Sequence, residues 1–98
     1  MKGATRKPGR PLSGPSRFAS ESVATRVWSA EASELLKQSM IRRGWGYREL
    51  SEALRAEGIN RSAAVINRRI NRANFTAGFF LACARALNYE IELREIER

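Results

Sequence analysis

Ninety-eight residues make one domain with a small core, so self-association is expected before any motif is considered. A net charge of +8 and a pI near 11.0 point to a polyanionic partner, either nucleic acid or an acidic membrane surface. With Cys83 as the only cysteine and no histidine, one chain cannot assemble a disulfide framework, a zinc site or histidine acid–base chemistry.

The leader, residues 1–19, reads MKGATRKPGRPLSGPSRFA and holds all three prolines, three glycines and five basic residues. It carries no helix or strand period and is expected to be a disordered basic arm. Lys7-Pro8-Gly9-Arg10-Pro11 resembles the core of an AT-hook, a Gly-Arg-Pro segment that lies along a narrow minor groove. Pro8 stands where an AT-hook has arginine, and a generic basic tail is the preferred reading. The leader lacks a hydrophobic signal-peptide core, so a cytoplasmic location is expected. No membrane partner is expected either: the longest apolar run, Phe79 to Ala84, falls far short of the ~20 residues that span a bilayer.

Helical periodicity begins between Ser20 and Trp28 and opens a domain over residues 20–88. Trp28, Ala32, Leu35, Leu36 and Met40 recur at spacings of three and four, which predicts the apolar stripe of a first helix. Lys37, Arg42 and Arg43 suit its C-terminal end and Gly44 its stop. Trp45, between two glycines, reads as a plug between helices in preference to a stacking platform for a base. Tyr47, Leu50, Ala53 and Leu54 give the stripe of a second helix ended by Gly58. Ser62 or Asn60 can cap a third helix from Ala63 to about Asn71. After a turn at residues 72–75, Thr76 caps a fourth helix from Ala77 to Leu87, whose Phe79, Phe80, Cys83, Ala84 and Leu87 supply much of the core. Asn88 stands at a left-handed helix end. In residues 89–98, Tyr89, Ile91 and Leu93 alternate with Glu90, Glu92 and Arg94, which predicts a short β-strand that needs a partner. The expected fold class is mainly α, four helices with a C-terminal strand.

Charge is unevenly spread along this chain. Residues 29–57 hold five basic and five acidic side chains, residues 58–89 hold five arginines and no acid, and residues 90–98 hold four glutamates. On a helical wheel over residues 61–72, Ala63, Ile66 and Ile70 fall on the core side. Arg61, Ala64, Val65, Arg68 and Arg72 fall opposite, Arg69 and Asn71 flank them, and Asn67 lies nearer the core boundary. A solvated face normally mixes glutamate with lysine for internal pairing. Here the exposed face carries forked cations around a small apolar centre, which suits guanine edges, phosphates and thymine methyl groups. Because the whole chain holds fifteen arginines against three lysines, the missing acid is a stronger signal than the arginine count.

Four short helices with a basic third helix resemble the lambda-repressor-like, Xre-type helix-turn-helix domain. The residues that carry the likeness are Tyr47 to Leu54, Ala63 to Arg72 with Ile66 and Ile70, and Phe79 to Tyr89. Leu35-Leu36-Lys37, Arg42-Arg43-Gly44 and Tyr47-Arg48-Glu49-Leu50 are most similar to a group of small bacterial proteins of unassigned function, over roughly residues 30–93. The chain departs from the pattern in a long link, Arg55 to Arg61, between helices two and three. It also has Ala73 where glycine is common, with Asn74 expected to take over the turn, and a leader outside the domain. The resemblance implies sequence-specific binding of double-stranded DNA by a homodimer, for transcriptional regulation such as repression. Helix three would enter the major groove with the N-terminus of helix two on the backbone. It further implies base contacts by Arg61, Ser62, Ala64, Val65 and Arg68, and phosphate contacts by Arg48, Arg69, Arg72 and Asn74. The arm, through Arg6, Lys7 and Arg10, would follow the backbone or enter the minor groove.

Two other readings stay open. One is a non-specific architectural or RNA-binding protein. The other is a DNA-binding antitoxin, with Tyr89, Ile91 and Leu93 paired to a toxin; pairing between two copies of the chain is preferred. An enzyme is not expected, since no nucleophile–base pair, phosphate loop or metal cluster is legible, and no cofactor or metal is expected.

Overall fold

The computed structural model describes residues 17–97, so the expectations for Arg6, Lys7 and Arg10 and for most of the arm lie outside the described residues. The chain forms α1 (Glu21–Arg43), α2 (Tyr47–Arg55), α3 (Ala63–Asn71) and α4 (Ala77–Ala86). Three of the four starts are capped by a hydroxyl: Ser20, Ser62 and Thr76 accept from the backbone N–H of Val23, Val65 and Phe79. At the fourth, Gly46 has no side chain, and Glu49 reaches back to accept from the Gly46 N–H at 2.8 Å.

All four helices end in one way. A left-handed residue follows each helix, at Gly44 (φ 71°), Gly58 (φ 87°), Ala73 (φ 52°) and Asn88 (φ 69°). The next N–H then returns to a carbonyl five residues back: Trp45 to Met40, Ile59 to Leu54, Asn74 to Arg69 and Tyr89 to Ala84. This closure satisfies carbonyls that a helix end leaves open. Glycine or asparagine serves at three positions, as the residue preferences require. At the fourth, Ala73 itself takes the left-handed conformation that was expected to pass to Asn74.

The core is one cluster drawn from every helix: Leu36 and Met40, Leu50 and Leu54, Ile66 and Ile70, and Phe79, Cys83 and Leu87. Trp45, Tyr47, Ile59, Phe75 and Phe80 pack around it half-buried. Trp45 is therefore a plug, and the Arg43 guanidinium lies 4.7 Å from its ring centre. α2 packs on α3 and α4, and α1 packs across the same two helices.

The stripe expected on α1 needs correction. Leu36 and Met40 are buried and Ala32 is half-buried, but Trp28 and Leu35 are each 54 % exposed. Only the second half of α1 lies on the core, and its inward line runs through Ser33. Ser33 can be buried because its hydroxyl is hydrogen-bonded, an option that apolar periodicity does not display. Phe18 and Arg17 gather around Trp28 instead, with the Phe18 and Trp28 ring centres 6.1 Å apart. Residues 89–97 form neither helix nor ladder, because the expected strand has no second strand beside it in a single chain. Among the described residues no helix is long and apolar enough to cross a membrane.

Candidate nucleic-acid interface

α3 is gripped at both ends by serines of neighbouring helices. The Ser51 hydroxyl of α2 donates to the Arg61 carbonyl at 2.7 Å, just ahead of the helix. The Ser33 hydroxyl of α1 donates to the Ile70 carbonyl at 2.6 Å, in the last turn. Between these two points Ile66 and Ile70 are fully buried and fix which side of the helix faces inward. A third tie joins α3 to the start of α2. The Asn71 amide donates to the Tyr47 hydroxyl at 2.9 Å and to the Asn67 side-chain oxygen at 2.6 Å. Asn67 is exposed, where the wheel turns it toward the core boundary.

The outward side holds Arg61, Ser62, Ala64 and Arg68, all exposed, while Val65 is half-buried. Val65, Arg68, Arg69, Arg72 and Asn74 then line one shallow hollow of about 130 Å³. The structure thus brings together three residues expected on phosphate and two expected on bases. Arg69 is half-buried, and its guanidinium lies 5.3 Å from the centre of the Phe79 ring. The same cation opposes the effect of burial on Cys83, whose thiol is nevertheless pushed up to about 12 by desolvation.

Arg48, expected on phosphate, stands apart from that hollow, exposed at the start of α2. There the Glu49 carboxylate already sits on the helix N-terminus. Backbone N–H groups of Glu49 and Gly46, with a smaller contribution from Arg48, hold this carboxyl below the usual glutamate range. The link from α2 to α3, residues 56–62, is long but well tied. Glu57 and Ile59 both return hydrogen bonds to the Leu54 carbonyl, and Ile59 packs on the core.

The residues expected to join two chains are exposed: Tyr89 by 37 %, Ile91 by 46 % and Leu93 by 97 %. Tyr89 and Ile91 border a hollow of about 210 Å³ with Leu81 and Arg85 of α4. A group that the sequence did not suggest faces the other flank of the α3–α4 turn. Ser22, Thr25, Arg26 and Ser29 of α1 share a cleft of about 830 Å³ with Arg72 and Asn74. Their spacing of three, one and three was the available signal, but periodicity searches follow apolar residues, and these are polar.

Residues 28–91 match the family described as Domain of unknown function (DUF6471). That range is well over half of the chain, and the chain belongs to this family. No curated protein and no solved structure matches it.

Proposed function

Starting from a family whose description assigns no activity, we propose that this chain is a sequence-specific double-stranded DNA-binding protein and not an enzyme. It acts as a homodimer in transcriptional regulation, in the cytoplasm at the nucleoid. The observation that carries this reading is the α3 surface: Arg61, Ser62, Ala64 and Arg68 exposed together, with no acidic residue anywhere in residues 58–89. The ties at both ends of α3 support it, because base readout requires a helix held in one orientation. Arg61, Ser62, Ala64 and Arg68 meet base edges, with the Val65 methyl groups beside them. Arg69, Arg72, Asn74 and, at the start of α2, Arg48 hold phosphates, and Arg6, Lys7 and Arg10 extend the contact along the backbone. The exposed Tyr89, Ile91 and Leu93 pair with the same segment of a second copy, and the strand forms on that pairing.

Binding to a selected duplex and to random duplex, compared at physiological salt, tests the reading. A specific regulator favours its own site by ~10³ or more. Equal affinity for random duplex or for single strands would assign the basic surface to non-specific binding instead.

A further inference from the structure

We infer that the cleft between the first half of α1 and the α3–α4 turn is a second phosphodiester site, which receives the backbone beside the phosphate held in the Arg68–Arg72 hollow. This rests on the reading of α3 as the DNA-facing helix. The two concavities have Arg72 and Asn74 in common, so these residues form the wall between them. A strand that reaches the smaller hollow therefore meets the larger cleft next.

The chemistry of α1 points the same way. The side that turns inward at Ser33, Leu36 and Met40 continues toward the start of α1 through residues 29, 26, 25 and 22, the spacing of one helix face. From Ser33 onward that side is buried on the core or hydrogen-bonded to it. Before Ser33 it holds Ser22, Thr25 and Arg26, all exposed, and the half-buried Ser29, three hydroxyls and a guanidinium that share the cleft with Arg72, Asn74 and the half-buried Phe75. Hydroxyl, amide and guanidinium donors arranged around an opening suit a phosphodiester with its anionic oxygens. Glu21 is the one acid on the rim, at the start of α1 where it suits the helix dipole. In the sequence, the basic leader joins α1 at this same end.

The test uses the full chain, a selected duplex and a random duplex of equal length, titrated over a range of salt. Arg26→Ala is expected to weaken both duplexes by the same factor and to lower the slope of log affinity against log salt by about one. The preferred site stays unchanged. Glu21→Gln is expected to act in the opposite sense and tighten both duplexes, which a merely structural role would not produce. Parent-like affinity and slope in both variants, alongside a loss in Arg72→Ala, would overturn the cleft as a DNA site and leave the α3 reading standing. Conversely, a parent that does not discriminate selected from random duplex contradicts the α3 reading. A lowered slope in Arg26→Ala then still assigns the backbone to the cleft.

Discussion

At the scale of single residues, the proposed division of α3 into reading and holding positions has a direct consequence. Arg68 is exposed at the hollow's edge, next to the proposed base-reading positions, while Arg72 belongs to the wall shared with the α1 cleft. Arg68→Ala is expected to cost ~1–3 kcal/mol against the preferred site and to relax discrimination at one or two positions. Arg72→Ala should weaken all sequences alike. Competition against single-base variants of the site separates the two; identical profiles for both variants would refute the division. Ala73 supplies a prediction about stability. Its φ of 52° costs an alanine roughly 1–2 kcal/mol, which glycine avoids at a smaller cost in unfolded-chain entropy. Ala73→Gly is therefore expected to stabilise the fold by about 1 kcal/mol in denaturant titration. Asn74, expected from the sequence to carry the turn, was the wrong residue because the left-handed position is set by where α3 ends and not by which side chain prefers it.

Among the elements, α3 was the most legible and α1 the least. Ala63 through Asn71 could be read because a cap, two buried isoleucines at a spacing of four and a run without acid all agree. The inward side of α1 is hidden from periodicity because Trp28 and Leu35 outweigh Ser33 in any apolar pattern. The Ser33 hydroxyl nevertheless satisfies a carbonyl at the end of α3, so Ser33 turns in together with the buried Leu36 and Met40. Interactions with partners distant in sequence are not written in local periodicity. On α4, Cys83 makes burial visible in a titration. Its thiol is raised from 9.0 to about 12, so the folded state holds the proton where the unfolded chain releases it. That contribution to stability is complete below the unfolded value and is lost as pH rises from about 9 toward 12. Stability measured in alkaline buffers should fall over that window, and by less in Cys83→Ala, which itself is less stable at neutral pH. The C-terminal segment yields the remaining prediction at this scale. Deleting residues 89–98 should leave a folded monomer by light scattering, and an unchanged dimer would refute pairing through Tyr89, Ile91 and Leu93.

For the whole molecule, the proposed function draws on the acid-free stretch of residues 58–89 and on the wall that Arg72 and Asn74 share between two concavities. The hollow on α3 and the cleft beside the first half of α1 meet at Arg72 and Asn74, and the leader joins α1 in sequence. The four glutamates of residues 90–98 lie beyond the last helix. Under the proposed function, these acids would disfavour a polyanion at the segment proposed to join two copies. In a dimer the two α3 helices would read half-sites about one helical turn apart, ~34 Å between centres. Selection from a random duplex library, with sequencing of the bound pool, probes this claim most directly. A palindromic site with half-sites at that spacing is the expected result, and a bound pool no different from the starting library would contradict it.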